Sequence, residues 1–209
     1  GEELAIESDV EADIVVPVPD SGVPAAIGFS QSTNKKFELG LIRNHYVGRT
    51  FIEPTQNIRS LGVKLKLSST KTTLKNKKVI LIDDSLVRGT TCHKIVKMLY
   101  DSGAKEVHVR IACPEIIYPD FYGVDMPTKK ELLASNKNLE EICNYINAKS
   151  LKFLSLEGLY KALCNEKRNV SYPQFSDHYF TGDYPIEPTD RLSEGKITQL
   201  SLLSSKSNN

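Results

Sequence analysis

With 209 residues, a formal charge of +1 and 40% apolar residues, the chain is long enough for one α/β domain with a real core, or one domain with appendages. That balance argues against a disordered chain and against a nucleic-acid-binding protein, and no apolar run approaches the roughly 20 residues needed to span a bilayer. Gly1-Glu2-Glu3-Leu4 lacks the basic and apolar regions of a signal peptide, so a cytoplasmic chain is expected.

Gly1 to Asp13 carries Glu2, Glu3, Glu7, Asp9, Glu11 and Asp13 and reads as the frayed end of something longer. Ile14 to Val18 reads as a strand, with Pro17 and Pro19 near its end where ladder pairing closes. The turn Asp20-Ser21-Gly22 follows, and a helix is predicted from about Val23 to Ser32, with Pro24 in its first turn and Ala25, Ala26, Ile27 and Phe29 as its apolar surface. Alone, Asp-Ser-Gly before a helix is ordinarily a cap.

A second strand is predicted near Phe37 to Ile42. From Arg43 to Lys78 there are nine Lys or Arg and one acid, Glu53, so the chain's positive charge is concentrated there. Gly48 and Pro54 argue against one continuous element in this segment. Ile58, Leu61 and Leu65 repeat at helical spacing, while Val63, Leu65 and Leu67 alternate as a strand would. A long basic excursion between core strands suits a mobile lid whose partner is a polyanion. Nucleic acid is the competing partner, and no interleaved aromatic platform accompanies the charge.

The most informative stretch is Val79-Ile80-Leu81-Ile82-Asp83-Asp84-Ser85-Leu86-Val87-Arg88-Gly89-Thr90-Thr91. Four apolar residues make a short buried strand, and two carboxylates end it where open α/β sheets bind ligands. Vicinal sugar hydroxyls or a hydrated Mg²⁺ are natural partners for such a pair. Gly89 permits close backbone approach, Ser85, Thr90 and Thr91 offer hydroxyls, and the first N–H groups of the following helix favour a phosphate dianion. Together these residues suit a phosphorylated ribose. The plainer alternative is that Asp83 and Asp84 cap a helix while Ser85 fills a turn.

Cys92 to Ser102 is predicted as that helix, with Ile95, Val96 and Leu99 inward and Gly103 as its stop. Glu106 to Ala112 alternates as a strand, with His108 on its polar phase and half exposed. A helix is predicted from Met126-Pro127-Thr128 through Leu133, another from Asn138 to Ile146, and a short strand from Leu151 to Leu154. Beyond Gly158 the core is expected to be complete; Leu159, Leu163 and Tyr160 suggest a last helix, and Ser171 to Pro188 is an excursion containing Pro and Tyr. Cys92, Cys113, Cys143 and Cys164 form no C-x-x-C pair, so reduced and mostly buried thiols are expected.

The stretch from Val79 to Thr91 resembles the phosphoribosyl pyrophosphate (PRPP) signature of type I phosphoribosyltransferases. Ile14 to Gly22, Gly40 to Ile52, Asp101 to Val107 and Phe121 to Pro127 are similar to the amidophosphoribosyltransferase family, and the likeness runs from about Leu4 to Pro185. The resemblance implies a central, mainly parallel sheet flanked by helices, with a flexible lid near residues 43–78. The phosphoribosyltransferase domain is expected at 1–165, a C-terminal appendage at 166–190 and a disordered tail at 191–209, where Ser201 to Asn209 is rich in Ser, Lys and Asn. The resemblance also implies replacement of the pyrophosphate of PRPP by ammonia, giving 5-phosphoribosylamine in the first step of purine synthesis.

Carried over by motif position, Asp83 and Asp84 hold the ribose hydroxyls and Mg²⁺, with Ser21 helping at the metal. Ser85, Leu86, Val87, Arg88, Gly89, Thr90 and Thr91 hold the 5-phosphate, and Asp20, Ser21 and Gly22 hold pyrophosphate in a loop with a strained, even cis, peptide. The family's catalytic loop matches Asn44 to Leu67, with Tyr46, Arg49 and Lys66 closing over the diphosphate. A homo-oligomer and feedback inhibition by purine nucleotides are further implications, with no nucleic acid or membrane as partner.

Two departures stand out. The family carries a glutaminase domain ahead of this region; a chain starting at Gly1 is expected to be half of such an enzyme, with free ammonia as its donor. One branch binds an iron–sulfur cluster through Cys before the Phe-Tyr-Gly and Phe-Thr-Gly words; Asp120 precedes Phe121-Tyr122-Gly123, and Ser171 to Tyr179 has no Cys, so no cluster is expected. Two rival readings are a non-catalytic PRPP-sensing regulator on the same fold and a salvage phosphoribosyltransferase for a base. Retention of Tyr46, Arg49 and Lys66 argues against the first, and the family words against the second.

Overall fold

The computed structural model describes residues 1–44, 67–123 and 128–186. Its strands are β1 (Ile14–Pro17), β2 (Lys36–Phe37), β3 (Leu41–Arg43), β4 (Leu67–Ser69), β5 (Lys78–Asp83), β6 (Glu106–Ile111) and β7 (Ser150–Phe153). Five of them form a sheet in the order β2-β1-β5-β6-β7, and each neighbouring pair is parallel. β3 and β4 pair antiparallel as a separate ribbon. The predicted parallel α/β architecture is the one observed.

Parallel sheets are covered on both faces, which is why β1 and β5 read as near-continuous apolar runs. On one face Val16, Leu81, Val109 and Leu151 lie in one register line and pack with Ile95, Val96, Leu99 and Ile142. The first three of these helical residues belong to α4 (Thr90–Asp101) and Ile142 to α6 (Leu139–Tyr145), numbering α3 as Lys71–Leu74 and α5 as Leu133–Asn136. On the other face Val15, Ile80 and Ile82 pack with Leu4, Ala5, Ala26 and Phe29 from α1 (Glu2–Ser8) and α2 (Val23–Thr33). Each Val, Leu, Ile or Phe side chain among these contributes on the order of 1.5–3 kcal/mol when fully buried.

Several local expectations hold for physical reasons. Pro24 sits in the first turn of α2, and α4 is followed by Gly103 at φ 94°, a left-handed position that favours glycine. Asn138 caps α6 by accepting from Glu141 N–H at 2.9 Å, with Glu141 bonding back in a capping box. Two more helices are α7 (Leu156–Cys164), capped by Ser155, and α8 (His178–Thr181).

Other expectations are corrected. The acidic N-terminus is not frayed: α1 buries Leu4 completely and Ala5 almost so, because these apolar positions face α2 and the sheet. The single strand expected at Phe37 to Ile42 is two, β2 and β3, which belong to different sheets, with Gly40 packed between Val16 and Leu74 at the change of direction. His108 is buried at 5% exposure rather than half exposed. It shares a face with Ile80, and α1 covers that part of the sheet; Arg110, next along the same face, donates from Nε to the Ser8 carbonyl at 2.6 Å and so satisfies the end of α1.

The core also continues past Gly158. Tyr160, Asp177 and His178 are buried, whereas Leu163 is 58% exposed. Residues 177–181 return to the loop after β6, where Ile117 and Tyr118 N–H both donate to the Tyr179 carbonyl at 2.9 and 3.0 Å. The helix expected to start at Met126 has its first two residues outside the described ones; a 3₁₀ turn at Lys129–Glu131 and then α5 follow Thr128. The expected tail at 191–209 and most of the basic excursion also lie outside the described residues.

Candidate active site

The chain order of the sheet decides where a ligand can sit. β1 leads through α2 to β2 on one side, whereas β5 leads through α4 to β6 on the other, so connections diverge between the neighbours β1 and β5. The loops leaving that pair therefore flank a crevice at the carboxyl ends of the strands.

The first loop is held tightly against the end of β5. Val18 N–H donates to the Ile82 carbonyl at 2.8 Å, Gly22 N–H to Val18 at 2.9 Å, and Val23 N–H to Asp20 at 3.3 Å. The Pro19–Asp20 peptide is cis. Gly22 has an ordinary φ of −76°, so its requirement is spatial: a Cβ there would lie 2.4 Å from the Ile82 carbonyl oxygen and 3.0 Å from that of Val18. Asp20 turns its carboxylate to Arg43, whose Nη1 donates to Oδ2 at 2.6 Å.

The second loop begins with the paired acids. Asp84 N–H donates to Asp83 Oδ1 at 2.9 Å, and Ser85 Oγ donates to Asp84 Oδ1 at 3.0 Å. Burial, and then the adjacent Asp84 charge, pushes the Asp83 carboxyl up to about 8. α4 then starts after Gly89 at φ 72°, and no side chain caps it, so its first N–H groups remain available to an anion.

A cleft of about 340 Å³ is lined by Val18, Ser21 and every residue from Asp83 to Cys92. It thus gathers Ser21, Asp83, Asp84, Ser85, Leu86, Val87, Arg88, Gly89, Thr90 and Thr91 from the sequence reading. Asp20 and Gly22 do not line it; one is paired with Arg43 and the other packed on β5. Leu86 is buried, and the Arg88 guanidinium lies 3.3 Å from Glu131 Oε1. Tyr46, Arg49 and Lys66 lie outside the described residues.

Sequence reasoning missed the supports of this cleft. Leu133 N–H donates to the Val87 carbonyl at 2.9 Å, and Leu133 and Tyr145 press against Gly89 so closely that a Cβ would fall 2.6 Å from Leu133 Cδ2. Glu131 also closes a capping box with Thr128, so the same carboxylate orders the turn and meets Arg88. The three side chains come from residues 43 or more positions beyond their partners, and only the Thr128-to-Glu131 spacing was a readable signal.

The acidic pair suits a divalent cation. Mg²⁺ is commonly held by one or two carboxylates with substrate phosphates and water, and a buried carboxyl whose charge is so disfavoured gains most from a cation beside it. No cluster of three or more His, Cys, Asp or Glu side chains able to hold a metal occurs among the described residues. Burial first, then the acidic pair, pushes the Cys92 and Cys113 thiols up to about 12, which leaves them protonated and unreactive near neutral pH. No disulfide joins the four cysteines.

A parallel sheet with this crevice, an acidic pair and an uncapped helix behind a glycine defines a type I phosphoribosyltransferase fold. No family model matches the chain. It is 55% identical over 206 residues to an amidophosphoribosyltransferase of Rhizobium etli, covering 98% of this chain and 42% of the relative. It is 53% identical over 187 residues to one from Methanocaldococcus jannaschii, covering 90% of this chain and 38% of that relative. A solved glutamine PRPP amidotransferase from B. subtilis, complexed with ADP and GMP, gives a TM-score of 0.78 at 49% identity, over 88% of this chain and 40% of that one. The chain matches the C-terminal phosphoribosyltransferase part of these amidophosphoribosyltransferases and spans about two fifths of their length.

Proposed function

We propose that this chain binds PRPP and transfers its phosphoribosyl group to ammonia, releasing pyrophosphate and giving 5-phosphoribosylamine. The observation that carries the reading is the meeting, in one cleft, of the loop after β1, the Asp83-Asp84 edge and the uncapped start of α4. In this reading the 5-phosphate rests on the loop from Ser85 to Thr91, whose backbone N–H groups and hydroxyls supply donors. Asp83 and Asp84 accept from the ribose hydroxyls and hold Mg²⁺, with Ser21 beside them. When bound, Mg²⁺ supplies positive charge to the departing diphosphate.

The C1–oxygen bond breaks with its electron pair on pyrophosphate, the new C1–nitrogen bond takes the lone pair of ammonia, and one ammonia proton leaves to solvent. Tyr46, Arg49 and Lys66 are proposed to meet the diphosphate as its charge grows and to exclude water, which competes for the same carbon. No side chain is needed as nucleophile. Glutamine is proposed as the ammonia source in the longer protein, through the glutaminase part of the family.

Purine nucleotides are proposed as feedback inhibitors of a homo-oligomer; the ADP and GMP complexed with the B. subtilis relative support a nucleotide-binding role. No iron–sulfur cluster is proposed, since Asp120 stands before Phe121-Tyr122-Gly123 and its Oδ1 lies 2.8 Å from His178 Nε2. No helix among the described residues is long and apolar enough to cross a membrane. The proposed compartment is the cytoplasm, although an Arabidopsis thaliana relative, 52% identical over 196 residues, is chloroplastic by name.

The test is pyrophosphate release from PRPP with Mg²⁺, with and without ammonium at mildly alkaline pH. Ammonium-dependent release that falls about 10²-fold in Asp84→Asn is expected. Release that is unaffected by this substitution refutes the assignment of the acidic pair. PRPP binding without ammonium-dependent release favours a PRPP-sensing regulator instead.

A further inference from the structure

Asp20 places a carboxylate in the turn that, in the reading above, receives a diphosphate. Like charges repel most where solvent is displaced, so an acid at that place needs compensation. Arg43 provides it through a charge-assisted hydrogen bond of 2.6 Å from Nη1 to Oδ2. The guanidinium comes from a well-anchored element. Arg43 ends β3, whose Leu41 is buried in the main core, and it is registered against Leu67 of β4, also buried.

Both partners keep access to solvent, at 38% side-chain exposure for Arg43 and 56% for Asp20, so the pair stands beside the crevice and is not sealed beneath it. The N–H groups of Gly22 and Val23 are already used within the turn, which makes the peptide geometry around Asp20 and Ser21 decisive for any anion bound there. We propose that Arg43 is a positioning residue of the diphosphate subsite: it neutralises and orients Asp20, and thereby sets the turn to accept an anion. The inference rests on the PRPP reading and adds to it a residue from outside the two ligand loops.

Calorimetric titration of this chain with magnesium pyrophosphate and, separately, with ribose 5-phosphate tests it, using Arg43→Gln, Arg43→Lys, Asp20→Asn and the Arg43→Gln/Asp20→Asn double variant. Arg43→Gln is expected to weaken pyrophosphate about tenfold while leaving ribose 5-phosphate within about twofold, and Arg43→Lys to recover most of the loss. In the Asp20→Asn background, Arg43→Gln is expected to cost less than about threefold, because no uncompensated carboxylate remains. An equal loss for both ligands makes Arg43 merely structural and overturns the proposal. So does an unchanged pyrophosphate affinity, or a full tenfold loss in the Asp20→Asn background, which means that Arg43 touches the ligand itself. If the unsubstituted chain binds neither compound, the PRPP reading fails, and this inference with it.

Discussion

Gly22→Ala isolates the tight fit of the turn after β1. The backbone at Gly22 is already suitable for alanine, at φ −76° and ψ −10°, so no conformational penalty is expected. The added methyl group would instead lie 2.4 Å from the Ile82 carbonyl oxygen, about 1 Å inside ordinary contact. Its other close neighbours, Val18 O at 3.0 Å and Val18 N at 3.1 Å, are backbone as well, so no rotamer change can relieve the overlap. Overpacking of this kind costs about 1–3 kcal/mol, and the reduced freedom of the unfolded chain returns about 0.4–1 kcal/mol. A net loss of about 1–2 kcal/mol corresponds to a Tm about 2–8 °C lower for a chain of this length. The turn must move away from β5 to accommodate the methyl, stretching the Val18-to-Ile82 hydrogen bond of 2.8 Å and displacing Ser21. A displacement approaching 1 Å is expected to lower the proposed ammonium-dependent pyrophosphate release about 10²-fold. Thermal unfolding and the release assay on the same preparation measure both consequences. An unchanged Tm together with unchanged release refutes the claim that space, and not φ, selects glycine here.

Asp177→Asn removes the acid of a buried pair: Asp177 is 3% exposed, Arg168 Nη2 donates to its Oδ1 at 3.2 Å, and Tyr160 Oη donates to its Oδ2 at 2.8 Å. Leaving Arg168 without this partner is expected to cost about 3 kcal/mol, tempered by the contact of its Nη2 with Asp183, and to lower Tm by about 6–12 °C in thermal unfolding. The pH dependence of that stability has a definite sign: burial raises the Asp177 pKa, but Arg168, Tyr160 and Thr181 together outweigh it and hold the group below its ordinary value. The stabilisation is therefore complete above pH about 4 and is lost as pH falls through the folded-state pKa, so the variant's Tm should converge on the parent's in acid. At His108, burial and then Arg110 keep the imidazole below its ordinary pKa against the pull of Glu106. The unfolded chain then takes up more protons below pH about 6.5, so stability falls as pH drops below that point. His108→Gln is expected to flatten this part of a chemical-denaturation pH profile, and an unaltered slope excludes His108 as its source.

The stretch from Val79 to Thr91 was legible from local chemistry. A buried apolar run, two acids and a glycine before an amphipathic helix constrain each other within thirteen residues, so the strand, the loop and α4 follow with little help from distant parts of the chain. The same holds for the strand, turn and helix from Ile14 to Thr33, although nothing in that segment says that its turn lies beside Asp83. That neighbourhood requires β1 and β5 to pair across some sixty residues, and pairing depends on the whole sheet. Burial of His108 was illegible for a related reason: alternation shows which residues share a face, but only the docking of α1 decides that this face is covered. Phe37 to Ile42 likewise reads as one strand through Phe37, Leu39, Leu41 and Ile42, and the packing of Gly40 between Val16 and Leu74 divides it between two sheets. Arg43 appeared in the sequence as one cation among nine; its contact with Asp20 exists because the β3–β4 ribbon is anchored through Leu41 and Leu67, which brings a charge from outside both ligand loops to the edge of the crevice. Local sequence thus encodes the donors and acceptors of the site, while long-range pairing and burial decide which of them meet.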